Sequence, residues 1–182
     1  MLAERGSGAR RLQIVEAARR ILEHEGEPAL TMRRLADAIG IRAPSLYKHF
    51  PDKAAVELAL MEIGLREAGA ALASAVHSSC DRLAALATAY HRFAIDHPHL
   101  YRLMTTRPLP RERLAPGVEA AAVAPLLVAV GGDLNTARAL WGMAHGLALL
   151  ELDGRLPPDA DIDAAWRVGV EALAAHGQNN LS

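Results

Sequence analysis

A cluster of hydrogen-bond donors occupies a short stretch near the N-terminus of this chain. Ser45, Tyr47, Lys48 and His49 lie within five residues of one another, and Lys53 follows shortly after them. Hydroxyl, imidazole and ammonium groups can all donate to phosphate oxygens, which accept most of the hydrogen bonds in protein–DNA interfaces. Lys48 and Lys53 are the only lysines in the 182-residue sequence. These residue types therefore indicate binding to a phosphate backbone.

Two short helices are predicted to position these donors. Thr31 is a suitable N-cap for the first helix, and Gly40 ends that helix by adopting a left-handed conformation at little cost. Pro44 suits the first turn of the second helix, while Leu46 and Phe50, four residues apart, can anchor it inward. This arrangement is a helix-turn-helix, whose second helix can enter the major groove of DNA. The alternative interpretation is an ordinary helical hairpin with a solvated outer face.

Residues 10–53 resemble the DNA-binding domain of the tetracycline-repressor (TetR) family of bacterial transcription regulators. Three runs of sequence carry the resemblance, namely IVEAARRILEHEG, LTMRRLADAIGI and SLYKHFPDK. The resemblance implies that Tyr47, His49 and Lys53 contact mostly phosphates. One departure is Arg42, where relatives often carry a small capping residue, although Arg42 could contact a phosphate or a base instead. The candidate DNA-binding residues are Thr31, Arg33, Arg42, Ala43, Pro44, Ser45, Tyr47, Lys48, His49 and Lys53.

Composition and charge limit the class of protein. Hydrophobic residues make up 51% of the chain and aromatic residues only 4%, so the core has to be built from aliphatic side chains. Residues 1–55 hold 10 Lys and Arg against 7 Asp and Glu, whereas the remainder holds 10 basic and 14 acidic residues. A basic head on an acidic body suits polyanion binding at one end. With no long apolar stretch, no apolar signal-peptide core and a single cysteine, Cys80, we expect a cytoplasmic protein with no membrane partner.

Two C-terminal helices are predicted to join two copies of the chain. The segment from about Leu134 to Leu152 is apolar on nearly every side, so it has to be buried against more than one neighbour. The simplest second neighbour is another copy, and Gly142 and Gly146 would let its helices approach closely. With a last helix at about 162–175, a four-helix bundle would form across a two-fold axis. The candidate interface residues are Leu140, Leu147, Trp166, Gly169, Val170 and Leu173.

The body carries a second resemblance. The runs HPHLYRLM and LWGMAHGLALLELDGRLP resemble the C-terminal domain of a TetR subgroup named for its Trp, His and Gly, here Trp141, His145 and Gly146. This resemblance implies a dimerising, ligand-sensing domain for an unknown small molecule. Because the body is rich in Ala, Val and Leu, we expect a mainly apolar pocket with few polar contacts. The candidate pocket residues are Tyr90, Phe93, Tyr101, Met104, Trp141 and His145. A buried His145 bonded to a backbone carbonyl is an equally good explanation of that residue.

The expected fold is all-α with about nine helices. We expect a three-helix DNA-binding domain at residues 1–53 and a ligand-sensing and dimerisation domain at residues 54–182. The first helix is predicted to begin near Ala9 with Leu12 facing inward. A long fourth helix is predicted from about Asp52, which can cap it, to Val76. The proline-containing segment at 105–117 is predicted to be a mobile loop.

Three classes of function stay open at this point. The first is a ligand-responsive transcription regulator, most often a repressor by family analogy, which binds a palindromic operator as a homodimer. The second is an all-α enzyme and the third is a protein-binding module. We expect no enzyme activity and no cofactor, because serine-hydrolase, P-loop and dinucleotide motifs are absent from the sequence. His91, His97 and His99 lack the spacing of a metal site, so we expect no bound metal either.

Overall fold

A computed structural model describes residues 2–179 of the chain, with side chains described for residues 8–176. Within this range the protein is all-helical, as predicted, with nine α-helices and two short 3-10 helices at Glu27–Ala29 and Arg111–Arg113. The α-helices are α1 Leu2–Glu25, α2 Met32–Ala38, α3 Ala43–Tyr47, α4 Lys53–Ser78, α5 Arg82–Asp96, α6 Pro98–Thr105, α7 Val118–Ala129, α8 Leu134–Leu152 and α9 Ile162–Asn179.

The first helix differs from the prediction in its start and its phase. Helix α1 begins at Leu2 rather than near Ala9 and so includes Gly6 and Gly8, which the sequence pattern placed before the helix. The prediction that Leu12 faces inward is wrong, because its side chain is 63% exposed. The buried face of α1 is instead formed by a set of aliphatic residues slightly displaced around the helix, namely Ile14, Val15, Ala17, Ala18, Ile21 and Leu22.

The chain forms two compact units. The first comprises the chain as far as Gly64 together with His97–Pro116, and the second comprises Leu65–Asp96 and the chain from Gly117 onward. Helix α4 therefore contributes residues to both units. The predicted domains, 1–53 for DNA binding and 54–182 for ligand sensing and dimerisation, divide the chain by function rather than by compactness. They stay a prediction.

The first unit packs α1, α2, α3, α6 and the start of α4 around a mainly aliphatic core that also includes Phe50 and Tyr101. At Gly64, an added Cβ would collide with the Met104 sulfur, so a larger residue there would require the Met104 side chain on α6 to shift. The segment after α6, predicted to be a mobile loop, is tied to α4, because the Ala115 N–H donates to Glu62 Oε1 at 2.6 Å.

In the second unit, α8 is buried along one side only. The buried residues of α8 have the three- and four-residue spacing of one helix side, and they are Thr136, Ala137, Leu140, Ala144 and Ala148. Asp133 caps the helix by accepting the Thr136 N–H at 2.6 Å, and its hydrogen bonds with Thr136 hold the pKa of the Asp133 carboxyl below its ordinary value. Helix α7 runs through Pro125, which is buried.

Within the described residues, no single helix is long and apolar enough to cross a membrane. Helices α7 and α8 satisfy the same test of length and composition only as a pair, across a bend of 101°.

Candidate functional site

The helix-turn-helix forms as predicted. Thr31 Oγ1 accepts the Arg34 N–H at 3.1 Å and so caps α2, and Gly40 provides the left-handed turn with a φ of +67°. Arg42 stands at the N-cap of α3 but makes no capping hydrogen bond with its side chain, and Pro44 lies in the first turn. Since α3 is only five residues long, it depends on packing rather than on its own propensity.

The two faces of α3 separate apolar from polar groups. Leu46 and the following Phe50 are 0% exposed and hold the helix to the core. Tyr47, by contrast, is 50% exposed. Eight of the ten candidate DNA-binding residues surround it as exposed or half-buried side chains in the same region of the chain, namely Thr31, Arg33, Arg42, Ala43, Pro44, Ser45, Lys48 and His49.

Arg11 holds the end of α3, a role that the sequence did not predict. Its guanidinium donates to the His49 carbonyl at 3.0 Å and lies 4.1 Å from the centroid of the Phe50 ring. From this position the arginine satisfies a carbonyl at a helix C-terminus and packs over an aromatic face. No local pattern in the sequence signals this contact, because it joins residues 38 positions apart.

Helix α2 is fixed to α1 by a two-pronged ion pair. Arg34 donates to both oxygens of Glu25, from Nε at 3.1 Å and from Nη2 at 2.7 Å. The hydrogen bond and the charge of Glu25 raise the pKa of Arg34 above its ordinary value. Both Arg33 and Arg34 are exposed, and Arg34 is the one paired with an acid of the protein.

Lys53, the tenth candidate for DNA contact, lies in an ion-pair cluster at the start of α4. Its Nζ is 3.3 Å from Glu57 Oε1 and 3.5 Å from the Glu27 carbonyl oxygen. Asp52 caps α4 by accepting the Ala55 N–H at 2.7 Å, as predicted. The ammonium group of Lys53 is therefore positioned by acceptors on two elements of the first unit, although its side chain is still 38% exposed.

The six candidate pocket residues are divided between the two units. Tyr101 and Met104 belong to the first unit, whereas Tyr90, Phe93, Trp141 and His145 belong to the second. Trp141 is 50% exposed, and its ring lies 6.0 Å from that of His145, with an angle of 27° between the planes. Burial lowers the pKa of the His145 imidazole below its ordinary value, so its neutral form is favoured.

The second unit has a cleft of about 360 Å³ that lies apart from the candidate pocket residues. It is formed by residues of α5, α9 and the turn before α5, and none of the six candidate pocket residues lines it. Its wall includes His91, whose Nε2 is 2.6 Å from Glu151 Oε2 and whose ring centroid is 5.1 Å from that of Trp166. The Trp166 indole N–H has no hydrogen-bond partner among the described residues. Asp163, Arg167 and Glu171 make the rim polar.

The candidate dimer residues lie on the inner sides of α8 and α9. Leu140 is 0% and Trp166 is 6% exposed within the single chain, and a Cβ at Gly169 would lie 2.6 Å from the Met143 sulfur. Leu147, Val170 and Leu173, which complete the set, are half-buried. Leu140 and Trp166 pack within their own chain, and contact of the candidate set with a second copy stays a prediction.

The outer sides of α8 and α9 carry apolar groups that the described part of the chain leaves largely uncovered. Val168 on α9 is 65% exposed, and Leu134 and Leu150 on α8 are 46% and 41% exposed. A Cβ added at Gly142 or Gly146 would meet no neighbouring atom of the described residues within 4 Å. We call this surface the outer α8–α9 face.

Two family descriptions match separate stretches of the chain. Residues 14–60 match the family described as bacterial regulatory proteins of the tetR family, and residues 83–173 match the tetracyclin repressor-like C-terminal domain. An uncharacterized HTH-type transcriptional regulator of Mycobacterium tuberculosis, Rv0681, is 33% identical over 180 residues, covering 91% of this chain and 80% of that protein. The resemblance inferred from the helix-turn-helix is confirmed, while membership of the Trp-His-Gly subgroup stays a prediction.

Solved structures share the fold over nearly the whole chain. A protein of unknown function from Rhodococcus sp. RHA1 is 30% identical with a TM-score of 0.73, covering 90% of this chain and 92% of that one. A TetR variant from Acinetobacter baumannii AYE, crystallised in complex with minocycline, is 23% identical with a TM-score of 0.64, covering 93% and 96%. At that identity the second likeness concerns the fold alone.

Proposed function

This chain belongs to the TetR family of bacterial transcriptional regulators and carries that family's DNA-binding domain, and on this basis we propose that it is a repressor. In this proposal a homodimer binds a palindromic operator and is released from it by a small molecule. The observation that carries the proposal is the capped helix-turn-helix, whose second helix exposes a polar face around the half-exposed Tyr47. A protein that binds chromosomal DNA in this way acts in the bacterial cytoplasm.

The proposed DNA contacts divide into two kinds. Tyr47, His49 and Lys53 hold phosphates, which fixes the register of the protein on the duplex without reading sequence. Ala43 and Ser45, at the N-terminal end of α3, lie where a recognition helix approaches the base edges in the major groove. Exposure of the Tyr47 and Ser45 side chains supports these roles.

The dimer is proposed to form through the outer α8–α9 face. Its apolar side chains gain by leaving water, and its two glycines allow close approach of a helix from the second copy. A two-fold dimer presents two recognition helices, and half-sites lie about 34–36 Å apart on one face of B-DNA. Dimerisation therefore sets the spacing of the operator.

The ligand is proposed to bind in the second unit and to be small and mainly apolar. Tyr90, Phe93 and His145 are the proposed contacts, and burial of the neutral His145 imidazole supports a site with few polar groups. A protein with this fold has been crystallised with minocycline, which supports a small-molecule ligand by analogy alone. Trp141 was also a candidate contact, but its 50% exposure makes it a weaker one. Binding would release DNA only if the ligand favours a conformation that misplaces the recognition helices.

Electrophoretic mobility shift with the DNA upstream of its own coding sequence tests the proposal directly. We expect a shift that weakens between two salt concentrations, since phosphate contacts release counterions. A chain that acts only as an enzyme or as a protein-binding module would give no shift at either salt concentration.

A further inference from the structure

Glu57 on α4 is the most buried charged side chain in the described part of the protein. The residue is 9% exposed, and no other charged residue among residues 8–176 is as well covered. A carboxylate removed from water requires compensating positive charge. Glu57 has two such partners, because its Oε1 lies 3.3 Å from Lys53 Nζ and its Oε2 lies 3.5 Å from Arg107 Nη1.

Arg107 also binds a second acid. It follows the end of α6, and its Nη2 donates to Glu27 Oε1, in the 3-10 helix that precedes α2. The four residues Glu27, Lys53, Glu57 and Arg107, which we call the Glu57 cluster, therefore contain two acids and two bases. Their formal charges cancel, and all four lie in the first unit.

The cluster determines how much of the Lys53 charge a phosphate experiences. An ammonium group has three donors, and here one is directed at Glu57 and one at the Glu27 carbonyl, which leaves one for DNA. The Glu57 carboxylate would repel the same phosphate that Lys53 attracts. Arg107 offsets this repulsion, since it neutralises the Glu57 carboxylate from the other oxygen.

We propose that Arg107 is a positioning residue for DNA binding, which neutralises Glu57 and so leaves the Lys53 ammonium available to a DNA phosphate. This inference rests on the proposed function, and in particular on the contact between Lys53 and phosphate. An arginine suits the task because its planar fork reaches two carboxylates at once, which a single ammonium group does not do well. Without Arg107, Lys53 would be the only positively charged partner of Glu57, and the cluster would have a net negative charge.

The test measures binding of full-length variants to a 30-base-pair duplex, enriched by the wild-type protein from a random-sequence pool, at one fixed salt concentration. Arg107→Gln should weaken binding about threefold for each copy and about tenfold for a dimer, as expected for one uncompensated charge roughly 7 Å from a phosphate with the dielectric constant of water between them. Arg113→Gln is the matched control, because Arg113 is an exposed arginine of the same segment and its replacement removes the same formal charge. It should change the dissociation constant less than about twofold.

Two double variants separate positioning from a general structural effect. Glu57→Gln combined with Arg107→Gln removes the uncompensated carboxylate and should restore affinity to within about twofold of wild type. If Arg107→Gln damaged the fold, adding Glu57→Gln would not repair it, because the second substitution also removes the ion pair between Glu57 and Lys53. In a Lys53→Ala background, Arg107→Gln should have a smaller effect than in the wild type, since Lys53 no longer holds a phosphate beside the Glu57 carboxylate.

Glu57→Gln alone gives an independent measurement if Arg107→Gln does not fold. Removing the negative charge beside Lys53 should tighten binding about threefold for each copy, and failure to tighten would overturn the inference. Equal weakening by Arg107→Gln and Arg113→Gln would also overturn it while leaving the proposed function intact. If the wild-type protein enriches no duplex from the pool, the proposed function fails and the inference fails with it.

Discussion

Val168 offers the sharpest test of the dimer, and we expect Val168→Glu to separate the two copies. The side chain is 65% exposed on α9, so the packing of the single chain depends little on it. Complete burial of a valine side chain contributes about 1.5–3 kcal/mol, so covering the exposed part contributes roughly 1–2 kcal/mol in each copy. A two-fold interface contains the residue twice, which gives about 2–4 kcal/mol for the dimer.

This free energy converts into a large change in association. At 1.4 kcal/mol for each factor of ten, the dissociation constant of the dimer should rise roughly 30- to 700-fold. The figure is a lower bound, because the new carboxylate would also have to be desolvated next to its own symmetry copy. The free energy of unfolding of the separated chain should change by less than about 0.5 kcal/mol, since the residue lies on the surface.

Sedimentation at micromolar concentration measures the effect. The wild-type protein should have twice the chain mass of 19.4 kDa, and Val168→Glu should shift toward the single mass. The matched control is Val128→Glu, the same exchange at a 40% exposed position of α7, and it should stay dimeric. A Val168→Glu protein that stays dimeric over this range, or a Val128→Glu protein that dissociates equally, would refute the assignment of the outer α8–α9 face.

Three further predictions concern single residues. Lys53→Ala should weaken binding about equally across DNA sequences and flatten the salt dependence by roughly one unit for each phosphate that is no longer bound; a change of sequence preference at unchanged affinity, measured by fluorescence anisotropy, would contradict it. Thr31→Ala should lower the free energy of unfolding in urea by about 1 kcal/mol because it removes the cap of α2, whereas Thr31→Ser should not. Burial lowers the pKa of His145, so the unfolded chain takes up this proton more readily than the folded chain does. The free energy of unfolding should therefore have its full value above pH 6.5 and should decrease as the pH falls below that value toward the folded-state pKa. His145→Gln should lack this dependence, and a value above 6.5 in a proton NMR titration would be inconsistent with burial as the cause.

Local chemistry made much of the first unit predictable. The caps at Thr31 and Asp52, the left-handed Gly40 and the position of Pro44 depend on a few neighbouring residues, and each forms as expected. The inward anchors of α3 follow from helical spacing in the same way. A short-range pattern is enough in such cases because the interacting groups are only a few positions apart.

Contacts between distant residues could not be predicted from the sequence. Arg11 packs on the end of α3, and Arg107 binds Glu57 across 50 positions of chain. An arginine in a helix or a loop has the same local sequence signature whether it meets water, phosphate or a carboxylate. Only the folded chain establishes which of these partners lies within reach of its long side chain.

The order of the amino acids was enough to establish that the chain is helical, that its head is a helix-turn-helix and that its C-terminal helices have more apolar surface than one neighbour can cover. Because the apolar residues of α8 surround the helix almost completely, periodicity could not tell its inner side from its outer side. Packing in the folded second unit makes that distinction, since it buries Leu140 and leaves Leu134 and Leu150 exposed. Which side of a uniformly apolar helix faces water depends on the helices packed around it, and the sequence of the helix alone does not determine it.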